Sequence, residues 1–166
     1  MHRPQSPSLT VDPATGEVRL GDHVPSIDAT LTIEALRRDF TAWLDGGRDV
    51  GNGHEWVGLS GLRLSERPAW LSLCFLNGRL IMLTIGVSLA DDEDEEGWPT
   101  EATSRRQVAF LRRVLGRQLG RSMAGGSESF AWGGAWANFD PKGFMASAGL
   151  RYEAVPTGSP SSRGSP

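Results

Sequence analysis

The segment from Ala69 to Leu89, AWLSLCFLNGRLIMLTIGVSL, restricts this chain more than any other. Two runs rich in Leu, Ile, Val and Phe flank Asn77-Gly78. That dipeptide is the strongest short-range signal for a two-residue hairpin turn, because both central residues must take φ > 0. Closing the hairpin there pairs Phe75 with Leu80, Leu73 with Met82 and Leu71 with Thr84 on one face. The other face carries Cys74 with Ile81, Ser72 with Leu83 and Trp70 with Ile85. Neither face is polar, so the hairpin is expected at the centre of a sheet covered on both sides. The two helices read below are expected to cover the face with Trp70, Ile81, Leu83 and Ile85.

The rest of the chain supplies more hairpins and two helices. Asp12-Pro13-Ala14-Thr15-Gly16 is turn chemistry between Val11 and Val18. Thr30 or Thr32 can cap a helix with Glu34 in its first turn, and Ile33, Leu36, Phe40, Trp43 and Leu44 form its apolar stripe. Asp45-Gly46-Gly47 is read as its stop, and residues 46–53 (GGRDVGNG) as a loop. His54 to Glu66 reads as a strand whose alternation slips between Leu59 and Leu62, predicting a bulge at Gly61. A second helix starts near Thr100 to Ser104 and ends at Gly120. Val108, Leu111, Leu115 and Leu119 form its core stripe, and Arg105, Arg106, Arg112, Arg113 and Arg117 a cationic outer face. A last hairpin pairs Phe139 with Phe144 across Asp140 to Gly143. It places Ala135, Ala137, Ala146, Ala148, Leu150 and Tyr152 on one face, with Trp132, Trp136, Met145, Ser147 and Arg151 on the other. The expectation is an α+β fold: a mainly antiparallel sheet of about six or seven strands with two packed helices, in the order ββ-α-βββ-α-ββ. One domain spans 9–153, between a flexible leader (1–8) and a Pro/Ser/Gly tail (154–166) too polar to form a core.

Composition bounds the functional classes. The 166 residues carry a net charge of −3, too close to zero to draw nucleic acid or a membrane surface by charge alone. No apolar run approaches the ~18 residues of a membrane span, so the reading is a cytoplasmic protein with neither nucleic acid nor membrane as partner. The single cysteine, Cys74, excludes an internal disulfide framework and a Cys-rich zinc site. It sits mid-strand among apolar neighbours, as a core thiol does. His2, His23 and His54 show no metal-ligand spacing. His54-Glu55 is the one candidate acid/base pair, and the alternative readings are a small enzyme there or a ligand-binding module on the Trp132/Trp136 face. No catalytic, cofactor or metal residue is assigned.

Two features remain as candidates for recognition. Asp91, Asp92, Glu93, Asp94, Glu95 and Glu96 form an uninterrupted acidic run, too repulsive to bury, suited to a basic partner. Asp92, Asp94, Glu96 and Gly97 match early positions of a calcium loop, but Thr103 stands where its bidentate Glu belongs. The second feature is the aromatic face of the last hairpin, where Trp132 is expected to pair across strands with Arg151, beside Trp136. Trp and Arg are the side chains enriched at interaction hot spots.

The DPxTG turn, the T-I-E-x-L helix start, the WL-x-L hairpin and the L-G-x-Q-L-G helix end recur together with Phe130-x-Trp132-Gly133, F-D-P-K-G and an alternating last strand. Across residues 9–153 this pattern resembles a diffuse group of small bacterial α+β proteins, some of them toxin-neutralising immunity proteins. The resemblance rests on turn chemistry and core pattern, and brings no catalytic residue. It implies a non-enzymatic protein-binding role, with a partner such as a basic toxin domain.

Overall fold

A computed structural model describes residues 6–89, 100–142 and 145–153. Two short strands come first, β1 (Leu9–Val11) and β2 (Val18–Leu20), paired Val11 to Val18 across the Asp12–Gly16 turn. Helix α1 (Ile33–Asp39) follows, capped by the Thr32 hydroxyl, which accepts from Ala35 N–H at 3.2 Å. Four antiparallel strands then form a meander: β3 (Leu44–Gly51), β4 (His54–Leu64), β5 (Arg67–Leu76) and β6 (Arg79–Val87). Helix α2 (Glu101–Leu119) crosses over to a second meander of β7 (Ser127–Phe130), β8 (Gly133–Asp140) and β9 (Met145–Tyr152). The seven strands form one sheet in the order β3-β4-β5-β6-β9-β8-β7, and β1 and β2 form a separate pair. The α+β class and the antiparallel sheet with two helices are therefore as expected, with β3 and β7 as additional edge strands. Among the described residues no helix is long and apolar enough to cross a membrane.

One face of the sheet is covered. Leu59, Leu71, Leu73, Phe75, Leu83 and Ile85 lie beneath α1 and the β1–β2 hairpin, and belong to one buried cluster with Leu36, Phe40 and Leu20. Helix α2 lies on β8 and β9, where Ala135, Ala137 and Ala148 are small enough for Leu111 and Leu115 to approach the sheet. Its end is set by Gly120, in the left-handed conformation. Gln118 reaches across to β1, donating to Leu9 C=O (3.2 Å) and accepting from Val11 N–H (2.7 Å), as a neighbouring strand would.

Three turns of the first meander share one geometry. Asn52-Gly53, Ser65-Glu66 and Asn77-Gly78 each have both central φ values positive, the primed turn that matches strand twist. The bulge predicted at Gly61 is present, with φ +77° and a register shift between Leu59 and Leu62.

The sequence reading is corrected at four places. The first helix stops at Asp39; Thr41–Trp43 is a single 3₁₀ turn, and Leu44 opens β3. The segment read as a glycine loop is thus β3 and its turn. Every β3 side chain is exposed, so no apolar alternation marked it as a strand. In the central hairpin a bulge at Ile81 moves the pairing to Cys74–Met82, Leu73–Leu83 and Leu71–Ile85. Trp70 therefore lies on the face away from the helices, opposite Gly86, with Ser72 beside Thr84. Among the described residues no helix or strand covers that face, and its side chains are mixed in polarity. In the last hairpin Phe139 pairs with Ala146, two residues from the expected register, which leaves the assignment of faces unchanged.

Candidate functional site

The uncovered sheet face is where the sequence-read aromatic candidates meet the fold. Strand register runs side chains across it in rows. One row crosses all seven strands: Arg48, Trp56, Cys74, Met82, Arg151, Gly134 and Ser129. The next holds Gly58, Ser72, Thr84, Gly149, Trp136 and Ser127. Small residues form a floor, and three indoles and two guanidinium groups stand on it.

The indoles are held in place by missing side chains. A Cβ on Gly86 would lie 2.2 Å from the Trp70 ring, and one on Gly149 would lie 2.7 Å from the Trp136 ring. Each ring therefore covers strand backbone that its glycine neighbour leaves bare, a structural service to the sheet. Trp136 Nε1 also donates to Ser147 Oγ at 2.9 Å. Trp70 nevertheless remains 44% exposed and Met145 56%, large values for apolar side chains on a sheet face. Arg151 lies over Gly134, its guanidinium 2.9 Å from where a Cβ would be.

The structure separates the residues grouped from the sequence. Trp132 does not pair with Arg151; Gly134 does. Trp132 sits in the two-residue turn between β7 and β8, which the sequence reading ran together as one strand. Its ring stacks on Phe130 (4.9 Å) and packs beside Tyr152 (5.8 Å), and its Nε1 donates to Pro13 C=O at 2.9 Å. Trp132 thus fastens the N-terminal turn to the sheet, whereas Trp136 and Arg151 remain together on the open face. Trp56 and Trp70 join them there. Neither was read as part of this face, since a register without the Ile81 bulge sets Leu83 and Ile85 beside Trp70 and makes its side of the sheet the covered one.

The acidic run Asp91, Asp92, Glu93, Asp94, Glu95 and Glu96 lies outside the described residues, as does Gly97 of the calcium-loop pattern. Among the described residues no cluster of three or more His, Cys, Asp or Glu could hold a metal ion. His54 and Glu55 are neighbours on a strand, so their side chains leave on opposite faces. Glu55 forms an ion pair with Arg37 of α1, on the covered side. The pair does not converge on a common point. Cys74 is buried, and burial pushes its thiol pKa up, away from the reactive thiolate.

No protein-family model matches the sequence, and comparison with curated proteins finds no match. Among solved structures, a chain in the complex of Rhs1-CT with cognate immunity protein RhsI1 is similar, with a TM-score of 0.53 at 12% identity over 94% of each chain. At that identity the likeness is one of fold.

Proposed function

We propose that this chain is a protein-binding protein of the immunity type, which neutralises a toxin domain by occupying its surface in the bacterial cytoplasm. The observation that carries this reading is the open sheet face, where Trp56, Trp70 and Trp136 stand with Arg48 and Arg151 on a floor of small residues. Aromatic and arginine side chains are those that concentrate binding energy at interfaces. The fold it shares with a chain of a toxin–immunity complex supports the same reading. Trp132 contributes indirectly, by fastening the N-terminal turn to the sheet that presents this face. The acidic run Asp91–Glu96 acts as a second, electrostatic element that draws a basic toxin domain to the surface.

The test is co-expression with candidate toxin domains drawn from the genes neighbouring its own, scored by growth. The parent protein is expected to restore growth, and a Trp70→Ala, Trp136→Ala, Arg151→Ala triple variant to fail while still melting cooperatively. A folded triple variant that protects as well as the parent would remove the sheet face from the function. Failure of the parent itself to bind or protect would sink the immunity reading.

A further inference from the structure

The two halves of the sheet are joined weakly, and the join opens into a cleft. Strands β6 and β9 pair at only three positions, Met82–Arg151, Leu83–Leu150 and Thr84–Gly149. Beyond Thr84 they diverge, and the space between them is a cleft of about 510 Å³ that reaches from the open face down to α2. That volume falls within the range of small-ligand sites, roughly 300–1,000 Å³. Val87, Leu111 and Met145 supply apolar walls, Trp70 and Ser147 line it, and Asp140 brings a carboxylate. Asp140 and Met145 are direct partners across β8 and β9, and Trp70 faces Gly86 across β5 and β6. Of the exposed large apolar side chains, the indole of Trp70 and the thioether of Met145 both border this cleft.

We infer that this cleft is the seat for an arginine side chain presented by the partner protein. The inference rests on the protein-binding reading and names the chemistry of its anchor. An arginine stem is apolar and fits against Val87 and Met145. Its planar guanidinium stacks on an indole, as a lysine ammonium does less well. Asp140 then decides the charge of the occupant. Among the described residues its carboxylate accepts from Lys142 N–H at 2.9 Å and forms no ion pair with a side chain. An apolar anchor would desolvate that carboxylate without compensation, and an acidic one would be repelled. A guanidinium satisfies it with charge-assisted hydrogen bonds.

The test uses the full chain and a blocked arginine, N-acetyl-arginine methylamide, with the uncharged N-acetyl-citrulline methylamide as its isostere. The readouts are the indole N–H resonance of Trp70 and the methyl resonance of Met145. Saturable shifts of both are expected with the arginine compound and not with citrulline. Asp140→Asn keeps the oxygen that accepts from Lys142 N–H and so preserves the turn, yet is expected to weaken binding about tenfold or more, the worth of a hydrogen bond to a charged group. Trp70→Phe, which still covers Gly86, is expected to weaken it less. Equal shifts with citrulline, no effect of Asp140→Asn, or no saturable shift would each overturn the inference. Because the probe needs no partner, such a failure leaves the protein-binding reading to its own growth test.

Discussion

The phenol of Tyr152 donates a 2.7 Å hydrogen bond to the carbonyl of Gly16, joining the end of β9 to the first turn of the chain. Trp132 closes the same junction from the other side, packed so tightly that a Cβ on Gly16 would lie 2.5 Å from its ring. The N-terminal hairpin is therefore held to the sheet by two aromatic side chains more than a hundred residues away. Removing the hydroxyl leaves a buried carbonyl unpaired. Tyr152→Phe is expected to cost about 1–3 kcal/mol in urea unfolding. Gly16→Ala should cost more, since Gly16 has φ +76° and its new methyl would meet the indole. Parental stability in both variants would show that the hairpin is not fastened there.

The same phenol predicts an alkaline limit. Burial, reinforced by Asp28 and Glu17, pushes the Tyr152 pKa well above its ordinary value. With the folded pKa raised, the fold retains the full contribution below the unfolded value of about 10 and loses it as pH climbs above that point. Tyr152 is the one tyrosine in the chain, so tyrosinate absorbance reports on it directly. The signal should appear only together with unfolding. Reversible ionisation near pH 10 in the folded protein would contradict the buried hydrogen bond.

The bulge at Ile81 is testable by the cost of truncation. Leu83 is fully buried on the inner face, and Leu83→Ala should cost about 2–5 kcal/mol through lost transfer energy and a cavity. Met82, partly exposed on the outer face, should cost clearly less when cut to Ala. With the cover fixed on the Leu71, Leu73 and Phe75 side, a register without the bulge would put Met82 inside and Leu83 outside, and the order would reverse. Denaturant unfolding of the two variants distinguishes the registers.

Ser65 and Glu66 hold a primed turn with φ of 47° and 71°, a conformation that side chains other than Gly and Asn adopt at a cost. Replacing the pair by Asn-Gly, as at the other two turns of the meander, should stabilise the fold by about 1 kcal/mol. An unchanged or lower melting temperature would mean that Ser65 and Glu66 are held by contacts beyond turn geometry.

The acidic run is proposed to serve association and not folding. Changing Asp92, Asp94 and Glu96 together to Asn, Asn and Gln is expected to leave melting unchanged or slightly raised, because it relieves like-charge repulsion. Binding kinetics with the toxin partner should show a slower on-rate, and added salt should mimic the variant. A large loss of stability would show that these carboxylates are paired within the fold. An on-rate indifferent to both salt and substitution would remove the run from the interface.

Much of this architecture is written in local chemistry. Asn77-Gly78 and Asp12–Gly16 define their turns because few residues accept the required φ. The slip between Leu59 and Leu62 marks the Gly61 bulge, and the stripe Val108, Leu111, Leu115 and Leu119 with Gly120 defines α2. The alternation from Ala135 to Tyr152 identifies the inner face of the last hairpin even with its register off by two, since a shift by two preserves side-chain direction. Tertiary structure alone decided the rest. β3 is a strand because β4 offers it a hydrogen-bonding edge, although no β3 side chain is buried and its glycines disfavour the conformation. The Ile81 bulge is chosen by the core, which needs Leu80, Leu83, Ile85 and Val87 on the side of Leu71, Leu73 and Phe75, and so leaves the Trp70 side to solvent. Trp132 and Trp136 are only four residues apart, yet Trp132, in the β7–β8 turn, enters the N-terminal junction, while Trp136, on β8, stays on the open face. Such choices depend on which surfaces are already covered, and coverage is a property of the assembled fold that no local stretch of sequence contains.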